Sequence, residues 1–496
     1  MSIRMRYAAS AATLSLVLVT GARAQTVNPK EAANPTKAAP LSEAYPVEGV
    51  GDGVTAGGYN QSRWVEDWTK YKNPAKRDDP LDRLKFIPIT SDGDVYLTLS
   101  GELRLRVNET TNPNLRESEA QRQDIVRLVG GGDLHIGKHI RLYGELAHGS
   151  LEGQNLGTVL GTLRNRLVVQ QSFADLTGEI GGADVGVRYG RQTFADGPNL
   201  MVVPRDNNTI FLVYNGTRAW ARGKTLRADV FDFRLTQLGV NGTGDDISDR
   251  TRRFSGLSAG VVLPKGLLGG SKLFLDPFVW RLRNTKALWG TTTTLETRTF
   301  YGLHLWGDAG RTNLDWTLNY QGGTFDNRPI AAWLFLAAQT YRIGKDKNAP
   351  RVGFHVDYAS GGGAYGKGTL RTALAPFGNN IYYSYQLFAT PTNLVALAPM
   401  VSVSPLRNLR VAAEYQLSWR DSLTDAVYRA NGAAFAGTQT LRARKIADTI
   451  RMQAVYTVSP RVSLTGRYEH LIAGPALTGA GYRNSAFLAG WISFRF

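Results

Sequence analysis

The 496-residue sequence contains no cysteine. That absence excludes disulfides, thiolate metal sites, cysteine nucleophiles and a lipid-modified N-terminal cysteine. Histidine is scarce, at six residues. A turn separates the closest pair, His135 and His139, so it does not read as a metal-binding pair on one helix face. Long apolar runs are missing as well. After residue 24 no stretch offers 18 apolar residues free of charge, so no helix is expected to span a membrane. Hydrophobic residues make up 43% and charged residues 20%. Those values exclude a disordered chain and are too polar for a bundle of membrane helices.

Glycine, by contrast, is abundant. Its 54 residues are about 11% of the chain, against a typical ~7%. Aromatics reach 10%, with 21 Tyr and 10 Trp, and Lys+Arg exceeds Asp+Glu by 58 to 41. This combination fits an all-β protein whose strand faces alternate between apolar and polar.

Met1–Ala24 reads as a secretory signal. Arg4 and Arg6 precede a mostly apolar stretch, Tyr7 to Gly21, and Ala22-Arg23-Ala24 is a small-x-small cleavage site. The apolar stretch is 15 residues, short of the ~20 a spanning helix needs. Removing the signal takes three arginines and no acids, so the mature charge is 17 − 3 = +14. Export argues against nucleic acid as the reason for this excess, leaving a lumen, a surface or anionic solutes. Residues 25–62 are expected to form a mobile leader, because Gln25–Pro46 is rich in Ala, Pro, Asn and Lys and has no period. Residues 63–92, with Trp64, Trp68 and Tyr71, are expected to pack at the periplasmic mouth or just inside a lumen.

From residue 93 the period is two. Val95, Leu97, Leu99, Gly101, Leu103, Leu105 and Val107 share one face, and Tyr96, Thr98, Ser100, Glu102, Arg104 and Arg106 the other. Only a strand sorts residues this way. The same sorting recurs around residues 126–136, 140–146, 185–189, 314–321, 352–358, 409–420 and 462–469. The last stretch alternates Leu488, Ile492 and Phe494 with Trp491, Ser493 and Arg495, and ends on an aromatic, as the last strands of outer-membrane barrels commonly do. Short turns (137–139, 181–184, 223–224, 310–311, 344–349, 459–460) alternate with longer polar connections (149–166, 195–208, 236–252, 284–295, 359–391, 421–445). Short turns at one end and long loops at the other are the pattern of a transmembrane barrel. The predicted fold is a closed antiparallel β-barrel in the bacterial outer membrane over 93–496. Eighteen strands are preferred and 16 is the second choice.

The chain also resembles the alginate export family of outer-membrane barrels. The matching stretches are Asp67-Trp68, Asp79-Pro80-Leu81-Asp82-Arg83-Leu84-Lys85-Phe86-Ile87-Pro88, and Tyr96 through Arg104. Others are Phe173-Ala174-Asp175-Leu176, Arg188-Tyr189-Gly190-Arg191-Gln192, Asn393-Leu394 through Pro399, Trp419-Arg420-Asp421-Ser422-Leu423 and Phe494-Arg495-Phe496. The resemblance runs from about Arg63 to the end. It implies an 18-stranded monomeric pore that passes an anionic polyuronate outward, with arginines lining the lumen.

The residues themselves support an arginine lining. An Arg on the lipid face at mid-membrane costs roughly 2–4 kcal/mol, so charged strand faces should point inward. On that basis Arg104, Arg106, Arg127, Arg141, Arg188, Arg227, Arg298, Arg410, Arg420, Arg451 and Arg467 face the lumen. So do Glu102, Asp133, Glu145, Asp229, Asp315, Asp357, Glu414 and Glu469. The guanidinium fork meets carboxylates bidentately. The bland reading is that Arg and acids pair across strands merely to fix the shape. The candidate lining is Arg104, Arg106, Arg127, Arg141, Arg188, Arg191, Arg420, Arg451 and Arg467, with Glu145 and Glu414 orienting the guanidiniums. The longest connection carries Lys367 and Arg371 and is the candidate gate. Its Gly361-Gly362-Gly363 is expected to be a flexible loop, since no helix follows as in a phosphate cradle.

No cofactor, metal or catalytic constellation is marked. Two functions remain open. One is export of an acidic polysaccharide, with a periplasmic secretion partner. The other is selective uptake of small anionic or aromatic solutes. A structural barrel with a blocked lumen is the third, plainer reading.

Overall fold

A computed structural model describes residues 58–198, 200–268 and 271–496. The expected signal and the leader up to residue 57 lie outside the described residues. Among those described, no helix is long and apolar enough to cross a membrane.

The period-two pattern becomes strands. In β2 (Val95–Thr110) Leu103, Leu105 and Val107 are exposed, whereas Glu102, Arg104 and Arg106 are buried. Apolar side chains outside and charged ones inside invert a soluble core. Seventeen more long strands follow: β3 (Gln121–Ile136), β4 (Ile140–Glu152), β5 (Asn165–Ile180), β6 (Ala183–Gln192), β7 (Tyr214–Arg222), β8 (Leu226–Gln237), β9 (Ile247–Val262), β10 (Lys272–Trp289), β11 (Thr292–Ala309), β12 (Thr312–Phe325), β13 (Arg328–Arg342), β14 (Arg351–Ala359), β15 (Leu394–Leu406), β16 (Leu409–Trp419), β17 (Lys445–Thr457), β18 (Val462–Ala473) and β19 (Ser485–Arg495). Each pairs antiparallel with the next, and β19 returns to pair with β2, Trp491 opposite Arg106. The result, among the described residues, is a closed eighteen-stranded barrel. Closure matters because an open edge would leave backbone N–H and C=O groups unpaired in lipid. A two-residue strand, β1 (Ile87–Pro88), pairs with the start of β2.

The two barrel ends differ. The end carrying β2's first residue and β19's last has mostly tight turns, such as 137–139, 310–311 and 407–408. The opposite end carries 193–213, 360–393 and 420–444. One expected long loop there is absent. Residues 284–295 are not a connection: β10 and β11 stay paired to Trp289 opposite Thr292, leaving a two-residue turn at Gly290-Thr291. The run Thr291–Thr294 reads as polar loop, yet its β-branched side chains suit a strand with a solvated outer face.

On the outer wall, Val230, Leu257, Val279, Tyr301, Tyr320 and Trp333 stand directly opposite one another across β8–β13. Tyr320 and Trp333 lie 5.0 Å apart, centroid to centroid. With Tyr301, 6.5 Å from Tyr320, they form a small aromatic patch on the outer wall.

The interior is occupied by its own loops. Connections 193–213 and 360–393 turn inward and meet, with Val202 bridging Phe377. Around them packs a buried cluster that includes Phe194, Met201, Tyr214, Phe254, Trp280 and Phe377. The approach is closest at Gly378, where a Cβ would stand 1.7 Å from Leu200 O. Glycine is therefore required there by space. Gly378→Val should part the two loops while leaving the barrel folded. Limited proteolysis should then cut within 360–393 at least several-fold faster, with heat-modifiable migration of the barrel unchanged. Equal cleavage rates would contradict this contact.

Candidate functional site in the barrel lumen

The segment before β2 enters the barrel at the end with the tight turns. Asn60, Gln61, Ser62 and Arg63 are all buried, so the ordered part begins earlier than composition alone suggests. Arg63 Nη1 donates to Glu145 Oε2 at 3.0 Å, and its Nη2 donates to Glu102. Trp64 lies against the Arg188 guanidinium at 3.9 Å, with Phe173 on the other contact at 3.7 Å. The 3-10 turn at Pro80–Leu84 is fixed by Asp79 and Asp82, and Arg461 in the β17–β18 turn donates to Asp82 Oδ1 at 2.6 Å. Lys85 is buried beneath this segment. Its ammonium donates to Leu99 O at 2.8 Å and sits 3.8 Å from Glu66 Oε2 and 4.9 Å from the Trp68 ring.

Deeper in the lumen the arginines meet carboxylates or loop oxygens. Arg104 Nη2 and Arg127 Nη1 both donate to Asp206 of the 193–213 loop, at 2.9 and 2.8 Å. Arg104 also sits 2.9 Å from Glu102. Asn207 serves the next pair. Its side-chain oxygen accepts from Arg106 Nη1 at 3.1 Å and from Arg467 Nη1 at 2.9 Å. Arg188 holds Asp175 bidentately, both bonds 2.7 Å. Arg141 Nε is 3.0 Å from Asp133 and keeps a side-chain exposure of 20%. Glu145 accepts from Tyr143, Gln170 and Gln171 besides Arg63. Glu414 pairs with Arg451 and lies 3.2 Å from His355 Nε2.

The 360–393 loop is tied to the same wall. Thr372 O accepts from Arg298 Nη1 at 2.9 Å, Ile381 O from Arg451 Nη1 at 2.7 Å, and Ser384 Oγ donates to Glu469 at 2.7 Å. The triple glycine is a pinned turn rather than a flexible loop. Gly361 N donates to Asp421 at 2.9 Å and Gly362 N to Asp425 at 2.7 Å. Lys367 and Arg371 are exposed, on the part of this loop before it turns inward.

Two expected lining residues have other roles. Arg191 is three residues from Arg188 along one strand, so the pleat turns it to the opposite, outer wall. There it donates to Val169 O, Asp246 O and Asn215 Oδ1. Arg420 points inward but is fully buried, and it donates to the carbonyls of Asp425, Thr438, Leu441 and Ala443. It clamps the 420–444 loop. Its neighbour Asn393 takes Ser422 N and donates to Ala426 O, joining that loop to 360–393.

Three inward arginines without a carboxylate partner lie elsewhere, at the mouth with the tight turns. Arg342 and Arg351 face inward and stand directly opposite each other on β13 and β14. Arg410 of β16 faces the same vestibule and is exposed. None of the three has an ion-pair partner among the described residues. Arg342 Nε is buried without a hydrogen-bond partner. Exposed Arg311, Lys345, Lys347 and Arg407 stand in the adjoining turns. Arg351 was legible from parity, since it shares the face of His355 and Asp357. Asp206 and Asn207 carried no such signal, because a loop's partner is set by tertiary folding.

A closed eighteen-stranded barrel with an apolar outer wall and a charged interior defines an outer-membrane pore. The chain belongs to the alginate export family, whose sequence pattern matches residues 95–490. Among solved structures it is similar to Pseudomonas aeruginosa OccK2 (OpdF) in complex with glucuronate, at 11% identity over 83% of this chain and 97% of that one, TM-score 0.52. It is also similar to Acinetobacter baumannii OccAB1, at 11% identity over 83% and 97%, TM-score 0.54. A BenF-like porin from Pseudomonas fluorescens Pf-5 matches at 10% identity over 81% and 98%, TM-score 0.54. These likenesses show the fold. No curated protein matches the sequence. The protein's place is the bacterial outer membrane.

Two outcomes follow from the docked segment. Arg63→Ala leaves Glu102 and Glu145 buried without their shared cation, which should cost about 3–5 kcal/mol in urea unfolding. A loss under about 1 kcal/mol would show the pair to be dispensable. Burial, opposed by Glu66, pushes Lys85 down to about 8 from its ordinary 10.5. Undocked, it returns to the ordinary value, so the undocked state holds more protons between those limits. Docking therefore strengthens as pH rises through that window, weakens as pH falls from its upper limit toward 8, and levels off below it. From pH 7.5 to 9.5 the gain should be about 2 kcal/mol. Protection of Trp64 and Trp68 from quenching should rise accordingly, and Lys85→Met should abolish the pH dependence.

Proposed function

We propose that this pore passes anionic, uronate-type solutes, and that its physiological cargo is an acidic polysaccharide of the alginate class moving outward. The observation that carries this reading is the vestibule of Arg342, Arg351 and Arg410. Two like charges face each other in register there with no carboxylate to separate them, an arrangement that is unfavourable unless an anion joins it. A carboxylate suits the guanidinium fork. The cationic turns around the vestibule raise the local concentration of a polyanion at that mouth. Arg141 at the same end, and Arg467 further in, offer partly exposed, already hydrogen-bonded guanidiniums. A series of weak sites lets a chain enter and still leave. The candidate lining therefore divides: Arg104, Arg106, Arg127, Arg188 and Arg451 shape the passage, and the vestibule and Arg141 contact cargo.

Inward loops 193–213 and 360–393 act as the gate. Their filling of the mid-lumen favours a second reading, uptake of small anionic solutes through a narrow path. A periplasmic secretion partner belongs only to the export reading.

The test is block of single-channel current in planar bilayers by oligouronates added on the side of the tight turns. Neutral oligosaccharides of equal length should block far less. Three at least partly exposed charge contacts at roughly 0.5 kcal/mol each amount to about tenfold. Arg342→Gln, Arg351→Gln and Arg410→Gln together should therefore raise the blocking concentration about tenfold. Equal block by neutral and acidic chains would overturn the proposal. Block by monomeric uronates alone would favour the uptake reading.

A further inference from the structure

The outer wall carries a second group of arginines that the pore does not use. One step beyond the outward residues Val230, Leu257, Val279 and Tyr301, toward the long loops, the outward row reads Asp232, Ser255, Arg281 and Thr299. The next outward row reads Arg234, Arg253, Arg283 and Thr297. Asp232 is the sole carboxylate in the two rows, and Arg253 takes it bidentately at 2.7 and 2.6 Å. Arg234, Arg281 and Arg283 are exposed and have no ion-pair partner among the described residues. Arg234, Arg253 and Arg283 lie directly opposite one another on three neighbouring strands, a spacing of roughly 5 Å between Cβ atoms.

We propose that this wall of β8, β9 and β10 binds the phosphate groups of a lipid in the leaflet on the loop side. Position argues for it first. Along β8, β9 and β10 the outward side chains change from Val230, Leu257 and Val279 to Asp232, Ser255 and Arg281 in one step toward the long loops, the change expected where hydrocarbon gives way to headgroups. Charge argues second. Three adjacent guanidiniums with one carboxylate between them need further anions, and each planar fork matches phosphate oxygens. The pore's own cargo does not reach this surface, because the register turns these side chains away from the lumen. A second copy of the chain is a poor occupant, since the patch would meet its own positive charge.

The experiment compares a diphosphorylated lipid A with the same lipid stripped of phosphate, binding to the full-length protein in detergent by native mass spectrometry. The phosphorylated lipid should bind at least tenfold more tightly. Arg234→Gln, Arg281→Gln and Arg283→Gln together should remove that difference, with oligouronate block unchanged. Equal binding of the two lipids would overturn the proposal, and that comparison uses the unaltered protein, so it holds even if the triple variant fails to fold. A triple variant that folds and keeps the phosphate preference would overturn it as well.

Discussion

Lipid on one side of the wall is the constraint from which the rest of this structure follows. A strand in a bilayer must close its hydrogen bonds with neighbouring strands and turn its charges away from hydrocarbon. Here that forces a crowd of guanidiniums and carboxylates into one lumen, where an unpaired charge would be costly. The lumen answers by mutual neutralisation. Asp175 takes Arg188, Glu414 takes Arg451, and Arg63 from the preceding segment joins Glu102 to Glu145. Where the strands supply too few acids, loops supply them: Asp206 reaches Arg104 and Arg127.

That economy separates two roles that a single list of inward arginines conflates. Guanidiniums held by carboxylates fix the cross-section, position the N-terminal segment and anchor the inner loops. They are scaffold. Arg342, Arg351 and Arg410 at the mouth, and Arg234, Arg281 and Arg283 on the outer wall, have no ion-pair partner among the described residues, and we propose anions for both groups. The same loops that neutralise the deep lumen also fill part of it: Asp206 of 193–213 shares Arg104 and Arg127 with Glu102 of the wall.

The sequence revealed the wall better than the interior. Alternation along residues such as 95–107 and 140–146 specified strand, facing and closure, because lipid and lumen impose opposite chemistry on adjacent side chains. The stretch 284–295 misled because strands that project beyond the membrane are polar on both faces. Arg191 was misplaced because its motif neighbour Arg188 masked the odd spacing between them. The motif around Arg420 marked an important residue correctly, but its bonds to four loop carbonyls are invisible in one dimension. Arg342 was hidden at a strand end that reads as turn. Asp206 and Asn207 show the limit most clearly: their partners lie about 80 to 260 residues away.

The central claim is that the mouth arginines, and not the paired deep ones, set the pore's preference for anions. Reversal potentials under a KCl gradient test it most directly. The unaltered channel should prefer chloride. Replacing Arg342, Arg351 and Arg410 with glutamine should sharply reduce that preference, whereas replacing Arg188 and Asp175 together should leave it unchanged. A cation-preferring channel, or a preference indifferent to the mouth and sensitive to the deep pair, would contradict the account.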